Sequence, residues 1–439
     1  MSANTGFKYG PAQDDLADLL VSRSIFSKGN LLVWNRLQAG DYNDVTRSSP
    51  VLVGANFTKV ASCQLDPGYS PIWFGIRNNG SLWTAGLDIF GYGSLGTNTI
   101  IARSSPTQIG SVLTWTDVDT NGVVSLAIRD GQLYGWGYNA SGSVGDGTTI
   151  NKSSPTIIGS ANWWKKVKNA STVISFGFTS DGSLYAWGEN ISGALGDNTT
   201  INKSSPVQIA GTWIDVDVIS SGTNATTYGI KSNRTLWRWG YDNVGSPPDK
   251  RSSPVQIGSD SDWHSLSGSR YHLFLLKTDG TLWMIGNNLV PFASDAYRIF
   301  YDAPVQTFSS PIQISSSTNW KNIYATKGTD FNHGGTLLAT KTDGTLWGWG
   351  EVNHKDGLTF IPTTEPIISS GYSYYYQYYS SPVQISDISS PSAKFKSISG
   401  SSALLIEDDN SVYNLTDTYP TVQAFGVGPG PGGPGPDGY

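Results

Sequence analysis

The chain has 439 residues, of which 51 are Gly, 16 are Trp and 22 are Tyr, while only 14% carry a charge. This composition is typical of many short strands joined by turns, because helices favour Ala, Glu, Lys and Leu. A net charge of -6 without a Lys/Arg-rich tail excludes electrostatic attraction to nucleic acid. The sequence contains no run of about 18 apolar residues, so no membrane span is predicted. The single cysteine, Cys63, excludes an intrachain disulfide and a cysteine metal cluster.

The N-terminal segment, residues 1–21, precedes the regular part of the sequence. The stretch PAQDDLADLLVS at 11–22 predicts a short helix with acidic residues in its first turn. Asp14, Asp15 and Asp18 interrupt the apolar run that a signal peptide needs, so we expect synthesis in a cytoplasm. We expect residues 1–21 to form an arm that anchors the chain to another protein.

A phrase of the form Leu-Trp-x-Trp-Gly recurs along the rest of the sequence. Its copies, at intervals of 51, 51, 51, 52, 46, 64 and 66 residues, begin at Leu31, Leu82, Leu133, Leu184, Leu236, Leu282, Leu346 and, in degenerate form, Val412. Most copies follow a two-residue turn, namely Asn79-Gly80, Asp130-Gly131, Asp181-Gly182, Asp279-Gly280 and Asp343-Gly344. Such dipeptides adopt the positive φ angles of tight hairpins. Each phrase is therefore predicted to be the second strand of a β-hairpin.

Two further strands complete each unit. A strand begins at a recurring Ser-Ser-Pro, and its prolines are Pro50, Pro106, Pro155, Pro206, Pro254, Pro311 and Pro382. Proline at the first residue of a strand loses no ladder hydrogen bond. Another strand opens with an aromatic residue, as at 115–118, 213–216 and 320–323. Four short strands in roughly 50 residues indicate a propeller blade.

The complete unit resembles the repeat of the regulator of chromosome condensation (RCC)-like family. The resemblance rests on the aromatic opening strand, the D-G-x-L-W-x-W-G phrase, the P-V-x-I strand and G-x-L-G elements at 93–96, 142–145 and 193–196. Gly268 to His272 matches the family's Gly-x-x-x-His spacing. The resemblance covers residues 22–424 and implies an all-β fold, a β-propeller of about seven four-stranded blades.

The sequence is compatible with either seven or eight blades. Seven complete units run from Phe57 to Pro420, and the N-terminal hairpin with Pro50 makes a further unit without an aromatic opening strand. Residues 12–22 could supply that strand and give eight blades. Alternatively, the two ends share one blade, in the ring closure that the family uses. We favour seven blades.

Patterns of catalytic or metal-binding residues are absent from the sequence. The four histidines, His264, His272, His333 and His354, lack metal-ligand spacing, and no nucleophile elbow or phosphate loop occurs. We therefore expect a protein that is not an enzyme and that holds no metal and no cofactor.

Four aspartates recur at equivalent repeat positions, namely Asp117, Asp119, Asp215 and Asp217. They could form paired carboxylates for acid/base chemistry. However, Lys59, Lys166 and Lys168 stand at the same positions of other repeats. We therefore favour a ring of mixed charge around the propeller axis over a catalytic pair.

Two inserts break the repeat. From each phrase to its proline the separation is 24, 22, 22 and 18 residues after the first copy, and then rises to 29 and 36. The inserts, at 287–308 and 351–379, occupy the same loop of adjacent blades and should project side by side. Long loops on a rigid scaffold commonly carry function, and Tyr suits recognition loops because it offers large contact area for little conformational entropy.

The inserts supply the candidate binding residues, which are Tyr372, Tyr374, Tyr375, Tyr376, Tyr378, Tyr379, Phe292, Tyr297, Phe300 and Tyr301. The alternative is that these rings cover a blade edge or pack the two loops together. At the other end, the stretch FGVGPGPGGPGPDGY at 425–439 predicts a mobile, polyproline-like tail.

Three classes of function are open. The polar, Ser/Thr/Gly-rich repeats are similar to propellers that bacteriophages carry as capsid decoration or tail-associated receptor-binding proteins. This favours a structural protein of the virion, made in the host cytoplasm. Its arm (1–21) and tail (425–439) would contact other virion proteins, and its aromatic loops a host surface glycan or protein. The second class is a soluble adhesin, lectin or protein inhibitor. Guanine-nucleotide exchange is disfavoured, because no basic chromatin-binding arm or exchange wedge is recognisable.

Overall fold

A computed structural model describes residues 30–33, 51–55, 57–63, 72–88, 90–171, 173–221, 224–241, 250–269, 272–287, 307–325, 336–353, 376–384, 395–399, 404–407 and 412–414. This part of the chain consists of strands and turns without a helix. It also contains no helix long and apolar enough to cross a membrane. The predicted arm at 1–21 and tail at 425–439 lie outside the described residues.

The described residues form 28 strands. Their bounds are β1 (Asn30–Val33), β2 (Val51–Ala55), β3 (Phe57–Cys63), β4 (Ile72–Arg77), β5 (Leu82–Gly86), β6 (Arg103–Gln108), β7 (Trp115–Thr120), β8 (Val124–Arg129), β9 (Gln132–Gly137), β10 (Lys152–Ile158), β11 (Trp164–Ser171), β12 (Ile174–Thr179), β13 (Ser183–Gly188), β14 (Lys203–Ser221), β15 (Asn224–Lys231), β16 (Leu236–Tyr241), β17 (Lys250–Ile257), β18 (Trp263–Gly268), β19 (His272–Lys277), β20 (Leu282–Asn287), β21 (Thr307–Ser315), β22 (Trp320–Ala325), β23 (Thr336–Lys341), β24 (Leu346–Asn353), β25 (Tyr376–Gln384), β26 (Phe395–Ser399), β27 (Leu404–Glu407) and β28 (Val412–Asn414).

Each repeat folds into an antiparallel sheet of four strands in chain order, which we call the inner, second, third and outer strand. Four sheets have this form, namely β3 to β6, β7 to β10, β18 to β21 and β22 to β25. Strands β11 to β17 form one seven-stranded sheet, because β14 is the outer strand of one blade and the inner strand of the next. The predicted all-β propeller architecture is therefore confirmed.

The two ends of the described chain meet in one sheet. Its strand order is β2-β1-β28-β27-β26, and β1 joins β28 in parallel through Leu31 and Val412. The inner strands contact one another in sequence, and β26 contacts β3. Among the described strands this closes a ring around seven inner strands, which is consistent with the second solution for the blade number, in which the ends share a blade.

The apolar core lies between the blades rather than inside each sheet. One cluster joins Phe74 and Leu82 of the first blade to Trp115 and Trp136 of the second. Corresponding clusters lie at the next interfaces around the ring. A single four-stranded sheet has two faces to cover, so each blade needs both neighbours to bury its side chains.

Glycines on the second strands make room for the inner-strand tryptophans. A Cβ added to Gly229 would lie 2.7 Å from Trp213 Cζ3 and 3.1 Å from Trp239 Cη2. In the third blade, a Cβ added to Gly177 would likewise lie 2.7 Å from Trp164 Cζ3. These glycines are required by close packing, because their backbone conformation is ordinary for a strand.

We expect the substitution Gly229→Ala to lower the free energy of unfolding by roughly 1–3 kcal/mol, because the added methyl group overpacks the indole of Trp213. Urea unfolding monitored by tryptophan fluorescence measures this change. Lys165→Ala, at an exposed strand position, is the control and should leave the free energy nearly unchanged. Equal stability of Gly229→Ala and the wild type would refute the packing account.

Candidate functional site

The loops that join the third and outer strands leave from one edge of the propeller, which we call the loop edge. In the first three blades these loops are residues 87–102, 138–151 and 189–202. In the fifth and sixth blades the flanking strands end at Asn287 and Asn353 and resume at Thr307 and Tyr376. The two predicted inserts therefore begin and end at the same edge as the three shorter loops.

A buried asparagine organises the second and third loops. Asn190 Nδ2 donates to Asp197 Oδ1 at 3.0 Å and to the Ile201 carbonyl at 3.3 Å, while its Oδ1 accepts the Leu195 amide at 3.0 Å. Asn139 makes the same bonds one blade earlier. One amide side chain thus ties both ends of each loop together, and it has no exposed surface in either loop.

An ion pair closes the same loops. Lys152 Nζ lies 3.0 Å from Asp146 Oδ2, and Lys203 Nζ lies 3.3 Å from Asp197 Oδ2. Burial opposes the ionisation of both aspartates, but hydrogen bonds from threonine and lysine outweigh it and lower the pKa of each carboxyl. The loops are therefore held by charged and neutral hydrogen bonds within a preformed shape.

Sequence reasoning missed this set of residues, although a signal for it exists. Asn139 and Asn190 each stand two residues after the Trp-Gly of the phrase, and both loops end in the string T-T-I-N-K. In the first blade Asp88 takes the place of the asparagine and accepts the Gly93 and Ser94 amides at 2.6 and 3.1 Å. The repeated string would have predicted a repeated loop structure.

The loops also lock onto the following blade. Three backbone amides, of Asn98, Gly147 and Asn198, each donate at 2.7 Å to a Ser-Ser-Pro serine carbonyl of the next outer strand. At Gly93 the φ angle is +80°, and a Cβ there would lie 2.4 Å from the Ser153 Cα. The G-x-L-G element therefore needs glycine both for its backbone conformation and for close approach.

Each of these loops exposes an isoleucine at the same position, and the first and third loops expose a further one, Ile100 and Ile191. Ile101, Ile150 and Ile201 are 61%, 67% and 67% exposed. The backbone amide of each donates a hydrogen bond of 3.3–3.4 Å to the hydroxyl of the threonine two residues earlier in the chain. Isolated exposed apolar side chains are ordinary on protein surfaces. Three in the same register on adjacent ordered loops form a repeated apolar feature, which we call the isoleucine row.

The structure describes three of the predicted aromatic binding residues. Tyr376, Tyr378 and Tyr379 lie in β25, where they pair with Asn353, Glu351 and Gly350 of β24. The other seven lie outside the described residues, namely Tyr372, Tyr374, Tyr375, Phe292, Tyr297, Phe300 and Tyr301. A role of all ten in binding stays a prediction.

The predicted bounds of the second insert were wrong at both ends. Residues 351–353 and 376–379 are paired strand residues rather than loop, so the sixth-blade hairpin extends beyond Gly350. Tyr379 stands opposite Gly350 as Lys152 stands opposite Gly137 and Lys203 opposite Gly188. The physical reason is that Tyr and Val favour extended backbone, so the ladder continues three pairs beyond Gly350, where the first three blades turn into a loop. The bounds of the first insert were also too wide, because Asn287 pairs with Thr307 and Gly286 with Phe308.

The predicted mixed charge at the axis is found on four consecutive inner strands, β3, β7, β11 and β14, but it does not continue into β18 and β22, where the same positions are Ser265, Ser267, Asn322 and Tyr324. Lys168 Nζ lies 3.1 Å from Asp217 Oδ2 and 3.8 Å from Asp215 Oδ1, and Lys166 Nζ lies 3.0 Å from Asp215 Oδ1. Lys59 likewise pairs with Asp117. The carboxylates are thus paired with lysines of neighbouring inner strands rather than with each other.

The same aspartates bond to the backbone of the following inner strand. Four carboxylates accept amides at 2.8–3.2 Å, and the pairs are Asp117 with Val167, Asp119 with Asn169, Asp215 with Leu266, and Asp217 with Gly268. Burial opposes the charge of Lys168, but Asp217 and Asp215 outweigh it and raise its pKa. Burial also opposes ionisation of Asp215, but the two lysines outweigh it and lower its pKa. These charged groups therefore join the inner strands of the first five blades at the axis.

Comparisons with known proteins agree with this architecture. A sequence model of the Regulator of chromosome condensation (RCC1) repeat matches residues 130–171 and 181–226. The structure of yeast RCC1 (Prp20) bound by Kap60 is similar, with a TM-score of 0.60 and 14% identity over 93% of this chain and 96% of that chain. Human WBSCR16 is similar with a TM-score of 0.60 and 15% identity over 84% and 91%.

A second structure of the yeast protein, Prp20p from Saccharomyces cerevisiae, is similar with a TM-score of 0.61 and 14% identity, covering 89% of this chain and 93% of that chain. The sheets and interlocked loops define a β-propeller. The repeat match and these neighbours make it RCC1-like in fold, as the phrase and the G-x-L-G elements predicted.

We expect Lys168→Met to lower the free energy of unfolding by on the order of 3 kcal/mol near neutral pH, because it leaves buried carboxylates without their cation. Asp215 has a lowered pKa when folded, so its contribution is complete above about pH 4 and is lost as the pH falls through the folded pKa. Lys168 has a raised pKa, so its contribution is complete below about pH 10 and is lost as the pH rises through the folded pKa.

Urea unfolding from acid to alkaline pH measures both limits. The difference between the wild type and Lys168→Met should be largest at intermediate pH and shrink at both extremes. Lys165→Met, at an exposed position, is the control and should show no such profile. A difference that is independent of pH would exclude an electrostatic role of the charged groups at the axis.

Proposed function

We propose that this chain is a non-enzymatic binding protein that presents its loop edge to a partner, and that it serves as a surface component of a bacteriophage virion. The observation that carries the binding function is the isoleucine row. Its three side chains occupy the same register of ordered loops and leave most of their apolar surface exposed. The fold does not need them there, because they contribute little to the core.

The rigidity of the loops supports binding by this edge. The hydrogen bonds of Asn139 and Asn190 and the ion pairs of Lys152 and Lys203 fix the backbone beside each exposed isoleucine. A preformed surface loses little conformational entropy when a partner covers it. An apolar side chain on a rigid loop is therefore a more effective contact than the same side chain on a mobile segment.

The two inserts extend the same edge. Their flanking strand ends lie in the fifth and sixth blades at the positions where the short loops leave the first three blades. In this proposal the aromatic residues of 287–308 and 351–379 and the isoleucine row belong to one recognition face. The partner of this face is a host surface glycan or protein.

The virion assignment rests on the polar, Ser/Thr/Gly-rich composition and on the near-identical second and third loops, which resemble propellers that bacteriophages display. The arm (1–21) and the tail (425–439) would hold the propeller on other virion proteins. The structure of Prp20p was described together with its binding properties to Gsp1p and histones, so a propeller of this fold serves there in protein binding. That supports the general class of function and not the particular partners.

The virion assignment is tested by purifying particles from the native source and identifying their proteins by mass spectrometry and immunogold electron microscopy. We expect the chain on the particle surface in a fixed copy number. A chain recovered only as free protein would contradict the assignment and favour the adhesin, lectin or inhibitor class instead.

The recognition face is tested with the full-length chain and isolated surface envelopes of the native host. We expect the triple variant Ile101→Thr, Ile150→Thr and Ile201→Thr to cosediment with envelopes about tenfold more weakly than the wild type, because apolar contact area is lost. Its melting temperature should stay unchanged, since the side chains are exposed. The variant Tyr374→Ser, Tyr375→Ser and Tyr376→Ser tests the second insert in the same assay.

A matched control carries three substitutions of exposed apolar residues away from the loop edge, namely Ile157→Thr, Ile214→Thr and Val255→Thr. We expect this control to bind as the wild type does. Equal losses in the control and the isoleucine variant, or no loss in either, would exclude the loop edge as the recognition face.

A further inference from the structure

A cavity of about 380 Å³ opens between the first and second blades. Arg103 and Thr97 line it from the outer strand and loop of the first blade, and Arg129 and Tyr134 line it from the second blade. Neutral hydrogen-bonding side chains form another part of the wall, namely Asn98, Thr107, Gln108 and Ser154, and the remainder is apolar, with Ile109, Val112, Trp115 and Pro155. No acidic side chain belongs to this lining.

Neither arginine is held by a strong ion pair with the described residues. Arg103 Nη2 donates to Thr99 Oγ1 at 3.2 Å, while its buried Nε donates to no acceptor in the described part of the chain. Arg129 donates to the Tyr134 hydroxyl and lies over that ring at 4.5 Å. Its Nε is 4.0 Å from the carboxylate of Asp130, which is 61% exposed, and an ion pair of this kind is weak.

The residues equivalent to Arg103 in the second and third blades are paired with an acidic side chain. The residue equivalent to Thr97 is Asp146 in the second blade and Asp197 in the third. These aspartates pair with Lys152 and Lys203, the residues equivalent to Arg103. The position of Arg129 holds Thr179 in the third blade, but it holds a cation in the first, fourth, fifth and sixth blades, namely Arg77, Lys231, Lys277 and Lys341, each over an aromatic ring. The repeat therefore accounts for Arg129 as a cation over the inner-strand aromatic ring, whereas Arg103 differs from its counterparts Lys152 and Lys203 in facing Thr97 instead of an aspartate.

We propose that this cavity binds a small hydroxylated carboxylate, of the class of acidic monosaccharides. Guanidinium groups match carboxylates in geometry and charge, so the two arginines would hold the anionic group. The threonine, serine and amide side chains would bond to hydroxyl groups. A cavity of this volume is at the lower end of the range of small-molecule sites and suits one sugar ring. The proposal goes beyond the recognition face and does not depend on it.

The experiment is a titration of the full-length chain with glucuronate, galacturonate and N-acetylneuraminate by calorimetry and ligand-observed NMR. Glucose is the neutral control, and inorganic sulfate and phosphate are the controls for a general oxyanion. We expect at least one acidic sugar to bind at least tenfold more tightly than glucose and than either inorganic ion. The affinity should fall with rising salt concentration.

Three variants assign the binding to this cavity. Arg103→Gln and Arg129→Gln should each weaken binding at least tenfold, because each removes a charge that meets the carboxylate. Thr97→Asp restores the acidic residue of the other two loops, so it should pair with Arg103 and abolish binding while the chain stays folded. Lys165→Gln, at an exposed position, removes one charge elsewhere and should bind as the wild type does.

The outcomes separate the cases. No binding of any acidic sugar up to about 10 mM, a Kd that corresponds to roughly 3 kcal/mol, would overturn the proposal. Equal binding of glucose, or of sulfate and phosphate, would overturn the assigned ligand class. Unchanged binding in Thr97→Asp would place the ligand elsewhere, and melting curves of each variant distinguish this result from unfolding.

Discussion

The structure depends on a hydrogen bond that crosses from the second, third and fourth blades to the blade before each of them. The second tryptophan of the phrase donates its indole N–H to a carbonyl of the preceding G-x-L-G element, as Trp136 does to Ser94 at 2.9 Å and Trp239 to Ala194 at 2.8 Å. The last glycine of that element makes the approach possible, since a Cβ at Gly96 would lie 2.7 Å from the Trp136 Nε1. An unmade bond of this kind would leave a buried donor unsatisfied, at a cost of about 1–3 kcal/mol.

This bond explains why the two most recurrent sequence elements recur together. The Trp-Gly of one repeat and the G-x-L-G of the preceding repeat are two halves of one contact, so neither can change alone. The same carbonyl also accepts a hydroxyl from the second strand, as Ser94 does from Ser125 at 3.1 Å and Ala194 from Thr227 at 2.7 Å. Because the loop backbone is anchored in this way, the loop edge has a fixed shape from which side chains can be presented.

The fold could be predicted because each of its local rules is repeated. The Asp-Gly turns, the phrase and the Ser-Ser-Pro strand each appear several times in register. Both φ angles are positive only at Asp130 and Gly131, 52° and 75°, whereas at the other four predicted turns only the glycine has a positive φ, so those turns differ from the predicted two-residue form. The axial charges could also be predicted, because Lys166 and Asp215 stand at one repeat position with opposite sign. Comparing equivalent positions of several repeats shows which residues of neighbouring blades face each other, and a single repeat cannot show this.

The candidate site was predicted less well, since it depends on departures from the repeat. An isoleucine such as Ile150 inside a polar loop is inconspicuous until its exposure is known, and Asn139 looks like any turn residue. The cavity was invisible for a further reason. Arg103 and Arg129 are distant in the unit and belong to different blades, so only the packing of one blade on the next brings them together.

Strand β14 is 19 residues long and belongs to two blades, which affects how the blades can separate from one another. From its proline to the following tryptophan the chain has two residues fewer than at the neighbouring blades, 206 to 213 compared with 155 to 164, so no turn separates the blades. The third and fourth blades therefore share one continuous strand, and a force that displaces one of the two sheets acts directly on the other. The ring is stiff at this point and opens more easily at the interfaces where a turn intervenes.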